Sequence, residues 1–192
     1  VEAGTVISNG TVTATTDTNA TATVIGSANY YVAPKKDYIT VAGSNTVSAA
    51  NSYALILNSY GTLTDGAYST IASGQYSSII GSNDSKAQGA HDSIIGSSNV
   101  NTNTKSYITV SGSNKVSATN DYAFVVGSSG TITDGVYSTL ASGSHSSIVG
   151  SNDSVASNTY ASVMGSNKVK ASGVNSAIIG SEGTITDGKY ST

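Results

Sequence analysis

Apolar residues recur along this chain in short groups, separated by steps of seven or eight residues that usually end in glycine or asparagine. Each step is too short for an average helix, but it has room for one β-strand and a tight turn. Glycine and asparagine readily adopt the left-handed backbone conformation that such a turn needs. The pattern therefore predicts a succession of short strands and tight turns.

The chain also repeats itself over longer distances. Residues 38–84 align without gaps with residues 107–153, and about two thirds of the positions are identical. Residues 81–127 contain one more pair of steps than the equivalent residues 150–180. Gain or loss of a whole unit is typical of solenoids, in which each coil contacts only its neighbours. We therefore predict an all-β fold, a parallel β-solenoid with coils of about 15 residues.

One position of each seven-residue step is always β-branched. Side chains alternate between the two faces of a strand, so this position marks a single face, which we assign to the inside of each coil. The predicted coil core consists of Val24, Val41, Ile56, Ile79, Ile94, Val110, Val125, Ile148, Val163 and Ile178.

The next position along the strand faces the opposite way and is also mostly apolar. A strand that is apolar on both sides is typically buried on both sides, and a continuous apolar stripe along a rod marks an interface. Self-association about a common axis covers such a stripe most simply, because equivalent stripes then meet. The predicted interface of this obligate oligomer consists of Ile25, Leu57, Ile80, Ile95, Val126, Val149, Met164 and Ile179.

The eight-residue steps have small apolar residues on one face and a mixed, largely polar set on the other, as expected for a solvated outer face. Two such steps follow each other at 59–74 and at 128–143, where we expect a bulge or a variant coil. Residues 1–19 fit the repeat poorly and are predicted to be an irregular N-terminal segment. Residues 20–192 hold about ten to eleven coils.

Composition narrows the function classes. Ser, Thr, Asn and Gly make up half of the residues, and the net charge is −3. With eight Lys and no Arg, the chain has no basic footprint for nucleic acid. No apolar run approaches the roughly 20 residues needed to span a membrane. The absence of cysteine excludes disulfide and thiolate chemistry.

Candidate catalytic and metal-binding groups are few. His91, Asp92 and Ser93 are consecutive, but neighbours in a strand point to opposite faces and cannot converge as a catalytic triad does. The aspartates of the three TDG triplets are interpreted as turn residues, because a calcium site needs several oxygen ligands around one ion. We predict no catalytic, cofactor-binding or metal-binding residues and expect a protein that is not an enzyme.

Histidine also occurs at the second position of the seven-residue steps, a column that otherwise consists mainly of tyrosine. We predict that these side chains stack as a ladder between coils, and a pH-sensitive or binding role for the histidines stays open. The column contains Tyr38, Tyr53, Tyr76, His91, Tyr107, Tyr122, His145 and Tyr160.

Segment 27–36 has ten residues where seven or eight are expected, and it holds the only proline. A longer loop on a regular rod is a place where specific contacts concentrate. The candidate ligand contacts are Tyr30, Tyr31, Lys35 and Lys36; a tolerated insertion is the alternative.

Four stretches of the chain resemble the head repeat of trimeric autotransporter adhesins, broadly S-x-A-I-G-x-x-x-x-A-x-G. The resemblance covers about residues 20–192 and implies a left-handed parallel β-roll that forms a homotrimer. It also implies a YadA-like head on the surface of a Gram-negative bacterium. The stretches are HDSIIGSSNV (91–100), HSSIVGSNDSVASN (145–158), YASVMGSNKVKASG (160–173) and NSAIIGSEGT (175–184).

The resemblance further implies attachment to host matrix proteins, glycans, cells or other bacteria. No signal peptide, neck motif, heptad stalk or membrane anchor is recognisable, so we expect a head fragment that is anchored through other segments and does not itself contact the membrane. Multivalent contacts along the rod, without a cofactor, are the expected mode of binding.

Three other functions are alternatives to adhesion, and the pattern favours them to different degrees. A surface-layer solenoid or structural spacer without a specific ligand would share the same repeat. A left-handed β-helix acyltransferase would need three six-residue edges per coil, which the period does not match. Ice binding would need Thr-x-Thr pairs on consecutive coils, but the pairs at 62–64, 131–133 and 184–186 are several coils apart.

Overall fold

The computed structural model describes residues 6–7, 22–32, 36, 38–64, 67–133, 136–183 and 185–186. Within these ranges, every regular element is a β-strand. The strands in chain order are β1 (Val6–Ile7), β2 (Ala22–Ile25), β3 (Ala28–Val32), β4 (Ile39–Ala42), β5 (Asn45–Ala49), β6 (Leu55–Leu57), β7 (Leu63–Thr64), β8 (Ala67–Tyr68), β9 (Thr70–Ala72), β10 (Ser78–Ile80), β11 (Lys86–Ala87), β12 (Ser93–Ile95), β13 (Ser98–Asn101), β14 (Thr109–Ser111), β15 (Asn114–Ala118), β16 (Phe124–Val126), β17 (Ile132–Thr133), β18 (Val136–Tyr137), β19 (Thr139–Ala141), β20 (Ser147–Val149), β21 (Val155–Ala156), β22 (Ser162–Met164), β23 (Lys170–Ala171), β24 (Ala177–Ile179) and β25 (Ile185–Thr186).

From β2 onwards the chain alternates between two parallel sheets and winds as a β-solenoid of about nine turns. The first sheet has eleven strands in the order β1-β2-β4-β6-β10-β12-β14-β16-β20-β22-β24. The second has ten, in the order β25-β23-β21-β19-β15-β13-β11-β9-β5-β3. The predicted all-β parallel solenoid is confirmed. The coils average about 16 residues instead of 15, because some turns contain insertions.

Register within the first sheet places like residues above one another. Ile79 is the Cα partner of Ile56 on one side and of Ile94 on the other. All ten residues assigned to the coil core are buried, with at most 3% of the side chain exposed. Stacked β-branched side chains suit such an interior, because their restricted χ1 angles favour regular packing against the equivalent residues of the adjacent rungs.

The second sheet lines the opposite wall of each coil with smaller side chains. Val47 and Ala49 of β5 are fully buried, as are Ala72 of β9 and Ala87 of β11. Small residues on this wall let the two sheets approach each other closely, because the larger Val and Ile side chains come from the first sheet. The interior is therefore narrow and filled.

From β2 onwards, a left-handed residue makes the turn where each strand of the first sheet ends. Gly81 has a φ of 58° and Gly96 a φ of 56°, and Asn58 adopts the same conformation with a φ of 46°. A Cβ added to Gly81 or Gly96 would meet nothing within 4 Å. Backbone conformation, not space, therefore favours glycine at these turns.

A serine follows each of these turns, buried in every case except the half-buried Ser181, and joins the coils in a continuous hydrogen-bonded row. Each hydroxyl except that of Ser181 accepts the backbone N–H of the serine one coil later, at 3.1–3.2 Å. Each hydroxyl also donates to the carbonyl two residues before it, at 2.8–3.3 Å. We call this row the serine ladder: Ser27, Ser44, Ser59, Ser82, Ser97, Ser113, Ser128, Ser151, Ser166 and Ser181.

The paired eight-residue steps contain β-hairpins that leave the coil. Strands β7 and β8 are antiparallel, and so are β17 and β18. The base of the first hairpin is closed by the N–H of Ser69, which donates to the carbonyl of Thr62 at 2.9 Å. Residues 65–66 and 134–135, which include two of the TDG aspartates, lie outside the described residues. The predicted bulge or variant coil is thus an inserted hairpin.

Each hairpin folds against the outside of the second sheet. Strand β8 contacts β5, and β18 contacts β15. At these places Ser48 and Ser117, which belong to the outer face, are only 6% and 4% exposed. These two buried positions are exceptions on a face that is expected to be largely solvated, and they lie on the strands that the hairpins contact.

The first sheet extends ahead of residue 20. Val6 pairs with Val24 and Ile7 with Ile25, so β1 forms the first rung of this sheet. The other residues of the predicted N-terminal segment 1–19 lie outside the described residues.

Candidate interaction surfaces

The apolar stripe predicted as an interface runs along the outer face of the first sheet. Its members pair in register, so Ile80 lies between Leu57 and Ile95. The exposed fractions reach 46% at Ile25 and 64% at Ile179, and the other six side chains are exposed or half-buried. A single chain therefore leaves uncovered a row of large aliphatic side chains, which is interrupted at Ala42 and Ser111.

Two further apolar residues widen this stripe and were not predicted. Phe124 is 42% exposed and Leu55 is half-buried, each two residues before a stripe residue. Residues two apart in a strand share a face, so strand alternation could have identified both. Elsewhere this second column is small and polar, and the hydroxyls of Ser78 and Ser93 are hydrogen-bonded at 2.9 Å. The outer face therefore combines a wide apolar column with a flat polar one.

The predicted aromatic ladder is present. Eight rings stack in one uninterrupted row, with neighbouring centroids 4.4–5.0 Å apart and ring planes within 29° of each other. The tyrosines of the ladder are 40–61% exposed, and both histidines are exposed. The members in order are Tyr38, Tyr53, Tyr76, His91, Tyr107, Tyr122, His145 and Tyr160.

Every residue of the aromatic ladder has a left-handed backbone, with φ between 56° and 62°. The ladder lies at the corner where the chain enters the first sheet, and Asn175 occupies the next corner with a φ of 56°. Positive φ is unusual for bulky side chains and costs roughly 1–2 kcal/mol per residue. The sequence pattern identified the stack of rings but not this conformation.

The structure places the consecutive residues His91, Asp92 and Ser93 in different environments. His91 is exposed, whereas Asp92 is fully buried. The carboxylate of Asp92 accepts hydrogen bonds from the N–H of Gly89 at 2.8 Å, the hydroxyl of Thr102 at 2.6 Å and the N–H of Ile108 at 3.0 Å. Burial raises the pKa of Asp92 to about 6, against the lowering effect of these bonds.

Asp92 has a structural explanation. The step from Ile94 to its Cα partner Val110 is one residue longer than the 15-residue step from Ile79 to Ile94. The carboxylate binds backbone groups of two successive coils, at Gly89 and Ile108, where the longer coil departs from the regular pairing. It therefore holds an irregular coil in place.

The proposed loop at 27–36 is a strand over much of its length. Residues Ala28–Val32 form β3, which pairs with β5. Tyr30 is fully buried, so its assignment as a ligand contact is wrong: its ring is part of the core, and burial raises its pKa. Tyr31 and Lys36 are half-buried at the surface, and Lys35 lies outside the described residues.

Other candidate chemistry is not supported by the described part of the chain. No group of three or more His, Cys, Asp or Glu side chains gathers there as a metal site would require. Nor does that part contain a helix long and apolar enough to cross a membrane. The threonine pairs at 62–64 and 131–133 belong to two hairpins. These hairpins contact β5 and β15, which lie four rungs apart in the second sheet, so the pairs do not form one flat array.

Comparison with protein-family models and with curated proteins finds no match for this chain. Any function of this chain must therefore be inferred from its fold and from its two exposed columns. These columns are the apolar stripe and the aromatic ladder.

Proposed function

We propose that this chain is the head of a trimeric autotransporter adhesin, a left-handed β-roll that assembles as a homotrimer on the surface of a Gram-negative bacterium. The proposal combines the resemblance of the repeats with one structural observation. That observation is the apolar stripe, which runs in register along the first sheet and is left uncovered by a single chain.

The size of the stripe favours permanent rather than transient assembly. Complete burial of a large aliphatic side chain contributes roughly 1.5–3 kcal/mol. The eight stripe residues are partly covered already, so about half of this remains, on the order of 10 kcal/mol per chain. That equals the net stability of a typical domain, about 5–15 kcal/mol. Folding and assembly should therefore occur together.

Attachment is proposed to come from repeated side chains on the flank of the rod. The interior is filled with Val, Ile and Ala, whereas polar and aromatic groups recur on the outside once per coil. Each such contact is weak, but repetition along a rod and across three chains raises the effective concentration and hence the avidity. Host matrix proteins, glycans and other bacterial surfaces are extended partners that suit this mode.

The assembly is tested by exchanging stripe residues for serine. Ser111 occupies the same column, so Ile80→Ser and Ile95→Ser should be compatible with the coil. We expect the native protein to have three times the 19.1 kDa chain mass in light scattering. The double variant should lose its trimer mass and its β-sheet circular dichroism together, and stable folded monomers would count against the stripe as the interface. The matched control is Lys86→Ser with Lys170→Ser, on the outer face of the second sheet.

A native protein that is monomeric at all concentrations would contradict the trimer. Adhesion is tested separately, by binding of the protein to immobilised matrix proteins, glycans and bacterial cells. We expect binding to weaken gradually as coils are removed from the C-terminal end. Trimers that bind none of these surfaces would instead support the structural spacer.

A further inference from the structure

The aromatic ladder is not explained by the needs of the backbone. Its corner requires a left-handed residue, and Asn175 shows that asparagine serves there. An aromatic residue costs roughly 1–2 kcal/mol in this conformation, while each stacked pair contributes roughly 0.5–1.5 kcal/mol. Eight left-handed aromatic residues cost roughly 8–16 kcal/mol and their seven stacked pairs contribute roughly 3.5–10.5 kcal/mol, so stacking by itself does not offset the strain. Strained residues that the fold does not need point to a role at the surface.

The stacking also limits what the ladder can bind. Each internal ring has its two faces against neighbouring rings at 4.4–5.0 Å. Sugar rings and planar ligands bind aromatic residues through those faces, which are occupied here. What remains exposed is the row of ring edges of six tyrosines and two histidines, in which Nδ1 of His145 is already hydrogen-bonded to the hydroxyl of Ser144 at 3.0 Å. The partner must therefore match a row of edges and hydrogen-bonding groups.

The spacing and chemistry of this row indicate what that partner is. The rings repeat at the distance between paired strands, about 4.8 Å, a period typical of stacked β-strands. Phenols and neutral imidazoles both donate and accept hydrogen bonds, so the row is complementary to a copy of itself. A row of carboxylates or ammonium groups would repel its own copy.

We propose that the aromatic ladder docks on the aromatic ladder of a second copy of this chain, so that two rods associate side by side. A two-fold axis between the rods would place the same row on both sides of the contact. The proposal concerns a different column from the apolar stripe and does not depend on whether the stripe forms a trimer. If the chain is an adhesin head, this contact would link rods to one another.

The test replaces Tyr76, Tyr107 and Tyr122 by asparagine, the residue that Asn175 shows to be compatible with the corner. Sedimentation velocity over a concentration series then separates two quantities. The mass of the smallest species shows how many chains assemble through the apolar stripe. The formation of larger species at higher concentration shows lateral contact between rods. We expect the average sedimenting mass of the native protein to increase with concentration. The triple variant should need at least about tenfold higher concentration to reach the same mass, a change in association free energy of about 1.4 kcal/mol.

Two further variants sharpen the test. Tyr60→Asn removes a tyrosine that is 55% exposed but outside the ladder, and it should behave as the native protein. Replacement of the same three ladder tyrosines by phenylalanine keeps the rings but removes the hydroxyls, and it should also weaken growth.

Several results would overturn the proposal. In the first, the native protein forms nothing larger than its smallest species at any concentration. In the second, the triple asparagine variant forms larger species at the same concentrations as the native protein. In the third, the phenylalanine variant associates as the native protein does. Loss of the smallest species in the asparagine variant would assign the ladder to the primary assembly instead. Loss of glycan or matrix binding with unchanged growth would assign it to a different partner. A monomeric smallest species with intact lateral growth would remove the trimer but leave this contact standing.

Discussion

The hydroxyl oxygen of Ser82 accepts a hydrogen bond from the backbone N–H of Ser97 at 3.1 Å, one coil further along the solenoid. The same hydroxyl donates to the carbonyl of Ile80 at 3.0 Å. The serine side chain thus binds a backbone N–H on one coil and a carbonyl on another, both at the buried corner. The carbonyl of Ile80 also accepts the backbone N–H of Gly96 at 2.9 Å, so the group that depends on the serine is the N–H of Ser97, for which the hydroxyl supplies the acceptor.

Removal of one hydroxyl from the serine ladder should therefore destabilise the protein. Ser97→Ala leaves the N–H of Ser113 without its acceptor, and both residues are buried. A buried polar group without a partner costs about 1–3 kcal/mol. We expect the free energy of unfolding, measured in urea, to fall by that amount.

The matched control is Ser162→Ala. Ser162 lies in the first sheet on its outer face and is half-buried, so its loss should change the unfolding free energy by less than about 0.5 kcal/mol. Equal urea midpoints for the two variants would show that the serine ladder contributes nothing beyond an ordinary serine.

Burial of Asp92 should make stability depend on pH in an unusual direction. Its pKa is about 6 in the folded protein, above the ordinary value of 3.8, so folding favours the protonated carboxyl. The stabilisation is fully present below about pH 4 and is lost as the pH rises through about 6. The shift corresponds to about 2–3 kcal/mol. Asp92→Asn cannot titrate. The unfolding free energy of this variant minus that of the native protein should therefore rise by that amount between pH 4 and pH 7.

Urea unfolding at a series of pH values measures this difference directly. Comparison of variant with native protein cancels the titration of the other carboxylates. Glu182→Gln changes an exposed acid and should show no such gain. If the difference between Asp92→Asn and the native protein is constant from pH 4 to pH 7, the buried carboxyl is not protonated on folding.

The regular part of this molecule could be predicted from sequence because its physics is local and repeated. Strand alternation identifies both faces of the first sheet, so the positions of Ile79 and Ile80 follow from one periodic pattern. The ring stack follows from the same register, since residues one coil apart lie above each other. The serine after each turn recurs as strictly as the glycine before it, and could have been identified by the same alignment.

The exceptions could not be predicted because they depend on contacts between coils. Tyr30 belongs to a step of unusual length that looks like a loop, yet its strand pairs with β5 and buries the ring. The bonds of Asp92 reach the adjacent coil at Ile108, sixteen residues away. Periodicity describes what coils share, whereas these residues are defined by how one coil differs from the next.

Gly89 should tolerate substitution less well than Gly96. The reason is the close approach of the neighbouring coil's backbone to Gly89, whereas Gly96 is favoured only by its left-handed conformation. A Cβ at Gly89 would overlap the carbonyl of Lys105 on the next coil, whereas a Cβ at Gly96 would meet nothing within 4 Å. Gly96→Ala should cost only the left-handed strain, roughly 1–2 kcal/mol. Gly89→Ala must separate two coils and should cost about 3 kcal/mol or more. Thermal unfolding of both variants checks the order, and a smaller loss for Gly89→Ala would contradict it.

The hairpin at 62–69 should be removable as a unit. When these eight residues are left out, residues 59–61 and 70–74 align position by position with the hairpin-free step 82–89. The structure shows that the coil is already closed beneath the hairpin. The hydroxyl of Thr70 donates to the carbonyl of Tyr60 at 2.5 Å. In the hairpin-free step, the hydroxyl of Ser85 donates to the carbonyl of Asn83, the bridge partner of Tyr60, at 2.7 Å.

Deletion of 62–69 should therefore preserve the solenoid. The loss is limited to the cover over Ser48 and to the bond from Ser69 to Asp84, and we expect no more than about 2 kcal/mol, a fall in melting temperature of under about 8 °C. Deletion of 82–89 removes the same number of residues but takes out β11, so β10 would lead directly into another strand of the first sheet. That variant should not fold, because every later strand would enter the wrong sheet. Circular dichroism with thermal melts distinguishes the two, and comparable damage from both deletions would show that the hairpin is an integral part of its coil.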